Sequence, residues 1–251
     1  MYICCAGNGS PMNAIEGGRA RETWRNLGQK LGKPEVILAV SAHWAARGTL
    51  VRTAADNRQI YDMYGFPEAL YKVRYAPAGS PGFASDVLAQ LSGIAKADNT
   101  WGIDHGVWSI LCNMYPDADV PVVMISTDIS AAPQQLFEIG RRLQPLREKG
   151  AMILASGNVV HNLRQIDWDL KGGYPWADTF DIRIRDAIVA GDASVPLKPS
   201  AIPGCRLAVP SAEHFDPLLV ALGATDSTDS VSVWNDYREL GALSMTSYLW
   251  Q

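Results

Sequence analysis

The chain has little of the residue types that carry most recognisable chemistry. Only four histidines and four cysteines occur among its 251 residues. The cysteines (Cys4, Cys5, Cys112 and Cys205) show neither zinc-ribbon spacing nor a redox CxxC pair. They read as reduced, mostly buried thiols, as free cysteines usually are. No basic run of five or more residues exists and the formal net charge is −4, so no nucleic-acid partner is expected. No apolar stretch approaches the ~20 residues of a membrane span, so no membrane partner is expected either. The N-terminal residues lack the basic region and longer apolar run of a signal peptide, which predicts a cytoplasmic location. Gly7-Asn8-Gly9-Ser10 is not a GxGxxG fingerprint and no Walker lysine follows it, which argues against a nucleotide site. GxSxG is absent, which argues against an ordinary serine hydrolase.

What is present is a folded-protein composition, 47% apolar and 19% charged. Short apolar runs at 2–6, 36–42, 120–127 and 152–160 read as strands. Longer amphipathic stretches at 19–31, 81–97, 133–149, 179–190 and about 212–222 read as helices. This alternation predicts an α/β fold, a single domain over residues 1–251, with a largely parallel or mixed central sheet flanked by helices on both faces. Adjacent Cys4 and Cys5 should point to opposite faces of the first strand. Three aromatic-rich loops, 61–81, 101–108 and 172–176, are placed to fold over a pocket or to cap a sheet edge. The Pro, Ser and Gly-rich stretch 191–206 reads as a connection within the domain.

In open α/β sheets, ligands bind beyond the carboxyl ends of the strands. Asn8 follows the first strand, His43 the second, Asp128 the third and His161 the fourth. His214 sits near the start of the last helix, with Ser211 as a candidate N-cap. Neutral imidazoles from separate elements suit Fe, Zn, Cu or Ni, so His43, His161 and His214 are candidate metal ligands; the alternative is satisfied core or capping histidines. His105 follows Asp104, which could orient its imidazole, and reads as a substrate-binding or proton-handling group or as an exposed loop residue.

A set of motifs then identifies a resemblance. Gly9-Ser10-Pro11-Met12-Asn13, Ser41-Ala42-His43-Trp44, Tyr64-Gly65-Phe66-Pro67 and Gly102-Ile103-Asp104-His105-Gly106 occur in order. Ser156-Gly157-Asn158-Val159-Val160-His161-Asn162 and Glu213-His214-Phe215 follow. Together they resemble the class III (LigB-type) extradiol ring-cleavage dioxygenases, in the 4,5-DOPA dioxygenase branch. The resemblance implies a catechol substrate such as L-DOPA, cleaved beside its two hydroxyls with O₂ at non-haem Fe(II), or with Zn(II) in the same site. It implies metal binding by His43 and His214, with His161 a ligand or the nearby acid/base. It also implies His105 in the substrate pocket. Ser10, Tyr64 and Trp108 are expected to contact substrate, and a monomer or small homo-oligomer is expected.

One position departs from the family. Its first strand ends in Gly-His-Gly-Ser-Pro, where the histidine is a metal ligand, and this chain has Asn8 there. Three readings follow: Asn8 binds through its amide oxygen in a weaker site, the chain has lost activity, or His43, His161 and His214 hold the metal alone. Two other functions compete, a zinc-dependent hydrolase on a similar scaffold and a non-catalytic catechol- or metal-binding paralogue.

Overall fold

A computed structural model describes all residues 1–251. Its centre is an eight-stranded sheet. In chain order the strands are β1 (Ile3–Gly7), β2 (Val36–Ala46), β3 (Thr49–Val51), β4 (Ala95–Ala97), β5 (Val122–Asp128), β6 (Ala151–Gly157), β7 (Val231–Trp234) and, after a small two-stranded ribbon of β8 (Arg238–Glu239) and β9 (Leu243–Ser244), β10 (Ser247–Trp250). Their order across the sheet is β4-β3-β5-β2-β6-β1-β10-β7. β5, β2, β6 and β1 run parallel, while β10 and β7 on one side and β3 on the other add antiparallel pairings. The sheet is therefore mixed around a parallel centre.

The central strands are apolar without alternation because both of their faces are covered. Val36, Leu38 and Val40 pack into one core, and Ile37 and Ala39 into the other. Cys5 and Cys4 divide between the same two cores, as their adjacency predicts. On one side lie α1 (Arg19–Leu31), the short α2 (Glu68–Tyr71) and α4 (His105–Met114); on the other lie α3 (Pro81–Gln90), α5 (Pro133–Leu143), α6 (Pro175–Val189), the short α7 (Cys205–Ala208) and α8 (Asp216–Gly223). Helix α1 buries Ala20, Trp24, Leu27 and Gly28, one stripe at helical spacing. Trp24 is wholly buried, and truncating such a side chain to alanine costs about 3–5 kcal/mol. A Cβ on Gly28 would stand 2.1 Å from the Met114 carbonyl oxygen, so glycine is what lets α1 and α4 approach so closely.

Several expected elements change shape for local reasons. The 133–149 stretch divides into α5 and a 3₁₀ turn, Gln144–Lys149, because Pro145 has no N–H to continue the ladder. The 81–97 stretch ends as a helix at Gln90, turns through Gly93 at φ +79°, and enters β4. The 101–108 stretch is a loop only as far as Asp104, whose side chain accepts from Val107 N and caps α4. Ser211 is not the cap of the last helix; α8 begins at Asp216 and the Ser211 hydroxyl donates to Glu213. No helix is long and apolar enough to cross a membrane.

Candidate active site

The carboxyl ends of β1, β2 and β6 meet at one edge of the sheet, and each delivers a site residue. Asn8 leaves β1 with its backbone N–H on the Gly157 carbonyl at 3.2 Å. His43 lies where the pairing of β2 with β5 slips between Ser41 and Ala45, an irregularity that re-aims side chains next to sites. Beyond β6, Asn158 N–H donates to the His214 carbonyl at 2.8 Å, which fixes the segment entering α8. Two glycines keep this junction tight. A Cβ on Gly157 would meet that carbonyl oxygen at 2.3 Å, and one on Gly106 would meet the His43 ring at 2.6 Å and the Asn8 amide at 3.0 Å.

All four histidines converge here. The His43 and His105 ring centroids are 4.0 Å apart, and those of His43 and His214 are 5.1 Å apart. His161 stacks on His214 at 3.5 Å with only 7° between the planes. Asp62, from the 61–81 segment, joins them. Its Oδ2 lies 3.1 Å from His43 Nδ1 and 3.0 Å from His105 Nδ1, and its Oδ1 accepts from His105 N–H at 2.8 Å. Asp62 thus also serves the first turn of α4, where a carboxylate is favoured by the helix dipole. Asp104 does not orient His105. Its carboxylate accepts from Ser41 Oγ at 2.8 Å and Trp101 Nε1 at 3.0 Å, tying the end of β2 to α4.

The electrostatics divide the imidazoles into two kinds. Burial opposes a charge on His43, but the Asp62 contact and the charges of Asp104 and Glu213 outweigh it and raise its pKa. Burial also opposes ionisation of Asp62, yet the two histidines hold its carboxyl well below the usual range. His161 is pushed down to about 4, by burial first and then by His43 and His105. His214, fully enclosed, is lowered still further by burial and by the other three histidines. His161 and His214 are therefore neutral at pH 7, with lone pairs available.

A divalent metal fits this donor set. His43 has Nδ1 held by Asp62, and His214 has Nδ1 at 3.3 Å from Asn158 Oδ1. An oxygen acceptor at one ring nitrogen leaves the other as the lone-pair donor, the pattern that surrounds metal-binding histidines. Asn8, beside these two rings, has a different character. The Ser156 hydroxyl donates to the Gly106 carbonyl at 2.6 Å, so Ser156 Oγ accepts, and the group it accepts from is the Asn8 NH₂ at 3.2 Å. That same nitrogen lies 3.5 Å from His43 Nε2. The amide thus turns a donor toward the nitrogen that a metal would use. The one group of three histidine or carboxylate side chains whose ligand atoms all lie within 4.8 Å of one another is His43, Asp62 and His105.

The three side chains expected to contact substrate stand as follows. Tyr64 is 92% exposed at the loop tip. Trp108 is wholly buried, with its indole N–H on the Ile60 carbonyl at 3.0 Å, and props the 61–81 segment from below. The Ser10 hydroxyl caps a 3₁₀ turn by accepting from Met12 N–H. Asp62 was not singled out by the sequence; its one signal is a lone carboxylate among aromatics in Tyr61-Asp62-Met63-Tyr64. Beside the cluster a cleft of about 250 Å³ opens, lined by His161, Leu163, Arg164, Pro210 and Glu213 among others.

Comparison with known proteins places this geometry. The family described as the catalytic LigB subunit of aromatic ring-opening dioxygenase matches residues 10–248, a span that begins just after Asn8. A 4,5-DOPA dioxygenase extradiol of Escherichia coli (strain K12) is 41% identical over 248 residues, covering 96% of this chain and 91% of the relative. A protein of the same name from Beta vulgaris is 33% identical, covering 96% and 93%. The crystal structure of an uncharacterized protein from Escherichia coli K12 superposes with a TM-score of 0.87 at 36% identity over 99% of both chains. The chain belongs to the LigB family of aromatic ring-opening dioxygenases.

Proposed function

We propose that this protein opens the ring of a DOPA-like catechol by extradiol cleavage with O₂ at a non-haem metal, Fe(II) in preference to Zn(II). The observation that carries this reading is the convergence of four histidines and Asp62 at the carboxyl edge of the parallel strands. His43 Nε2 and His214 are the metal ligands, and Asn8 occupies the third position. When bound, the metal supplies the Lewis-acid and redox chemistry that joins a catecholate to O₂.

The chain's own groups handle binding and protons. His161 is the acid/base. Its ring lies parallel to His214 at 3.5 Å, so the in-plane lone pairs of the two rings run side by side and do not meet at one ion. It is neutral and can accept a hydrogen bond from a catechol hydroxyl, while burial makes it a weaker base than a free imidazole. His105 faces the same space from α4 and hydrogen-bonds the second oxygen of the substrate. Arg164 and Glu213 in the adjoining cleft match the carboxylate and ammonium of an amino-acid side chain on the ring. Substrate and O₂ are the only partners this site requires.

One observation favours a second arrangement. The two Nδ1 atoms of His43 and His105 with Asp62 Oδ2 form a two-histidine, one-carboxylate set, a donor combination suited to Fe(II) oxygenases. In that case Asp62 is a ligand and Asn8 is a bystander.

The deciding experiment is metal analysis, then anaerobic Fe(II) loading and O₂ uptake with L-DOPA. Uptake with a yellow ring-opened semialdehyde is the expected result. Hydrolase activity with zinc and no O₂ uptake would overturn the reading. Catechol binding without turnover, unchanged in Asn8→His, would make the chain a binding paralogue. Gain of ring cleavage in Asn8→His would place the metal at His43 Nε2 and His214.

A further inference from the structure

A second cleft, of about 540 Å³, opens on the face of the sheet covered by α1 and α4. Arg21 and Arg25 of α1 line it, with Arg74 and Tyr75 of the 61–81 segment and Cys112 and Asn113 of α4. No carboxylate lines it. None of the ion pairs of the molecule involves Arg21, Arg25 or Arg74. Three guanidiniums around one concavity repel one another, and an anion between them reverses the sign of that interaction.

Two of the three are held in place without being neutralised. Arg21 donates from Nε to Asn113 Oδ1 at 2.9 Å and from Nη1 to the Ile15 carbonyl at 2.8 Å. Arg74 donates to the Tyr71 carbonyl at 2.8 Å and to the Tyr61 hydroxyl. Such fixed forks lose little freedom when an oxyanion arrives. Tyr75 is 2% exposed, and its hydroxyl is buried with no hydrogen-bond partner. A buried polar group left unpaired is rare in folded proteins. Asp119, whose charge reaches Tyr75, is occupied by Lys33 at 2.5 Å.

We propose that this cleft is a second ligand site, separate from the histidine cluster, for a small organic anion bearing a carboxylate or phosphate. The anion's oxygens take the open N–H groups of Arg21, Arg25 and Arg74. The cleft volume is in the range of small-molecule sites.

The test is calorimetric titration of the full-length protein with succinate and, separately, with glycerol phosphate in about 150 mM salt, where long-range attraction is screened. Saturable binding of at least one is expected, weakened about tenfold in Arg25→Ala and in Arg74→Ala. Tyr75→Phe removes only an unpaired hydroxyl that is closed off from the cleft, so it should keep or raise the melting temperature and leave binding unchanged. A preference for glycerol phosphate assigns the site to phosphates, and the reverse preference to carboxylates. The proposal fails if both anions do no more than sodium chloride at equal ionic strength. It also fails if Arg25→Ala and Arg74→Ala bind as well as the wild type, which would put the anion elsewhere.

Discussion

His161 lies flat on His214, 3.5 Å between centroids and 7° between planes. Parallel rings at this spacing divide labour, since only one of them can aim a lone pair at a given ion. His161→Ala should therefore retain bound metal while ring opening slows by roughly 10²–10⁴-fold, the usual worth of a positioned acid/base. Metal analysis beside O₂ uptake reads both effects. Loss of metal from this variant would return His161 to the ligand set.

Asp62 touches two imidazoles with one oxygen. Asp62→Asn keeps its shape and removes its charge, so His43 loses the acceptor that fixes its tautomer. Metal affinity should fall about 10–100-fold, as it does when outer partners of metal-binding histidines are removed. A competitive metal titration measures this. Abolished binding would instead favour the arrangement in which Asp62 is itself a ligand.

Arg164 is exposed in the cleft beside His161. Arg164→Ala should raise KM for L-DOPA about tenfold and leave KM for unsubstituted catechol in place, because only the amino-acid substrate has a carboxylate to lose. An equal rise for both substrates would remove Arg164 from recognition of the side chain.

Asp181 of α6 is fully buried and accepts from Ser244 Oγ and Thr246 Oγ1, both at 2.7 Å, and from Arg238 at 3.0 Å. It ties the ribbon before β10 to α6. Asp181→Ala leaves the two buried hydroxyls without their acceptor and takes one of the three carboxylates from Arg238, and should cost about 3 kcal/mol in chemical denaturation. A change below about 0.5 kcal/mol would mean that the network is dispensable.

The parallel centre of the fold was legible because strands covered on both faces must be apolar throughout, as in 36–42 and 152–160. His43 and His161 were legible because they follow such strands, whereas His105 opens a helix, His214 precedes one, and both stood out only through the motifs around them. Asp62 was not, because nothing in the spacing of a long irregular segment says which of its side chains turns inward. The start of α4 was masked by Gly102 and Gly106, read as loop residues. Gly106 is there to admit the His43 ring and not to loosen the chain. The last strands, four residues each at β7 and β10, are too short to show a period. The Ser156 hydroxyl that orients the Asn8 amide is a contact across 148 positions, beyond the reach of any local pattern.

The Gly7 N–H donates to the Ser247 hydroxyl, a partner 240 positions away, and β10 pairs with β1 along its length. Closing so long a loop carries an entropic cost that must be met before the contact gives anything back. β1 is synthesised well over two hundred residues before β10, so its flank stays an open edge until β10 has been made. The peptide that presents Asn8 to the histidines is thus fastened late, and a change that hinders β10 would loosen the histidine site without touching any of its residues.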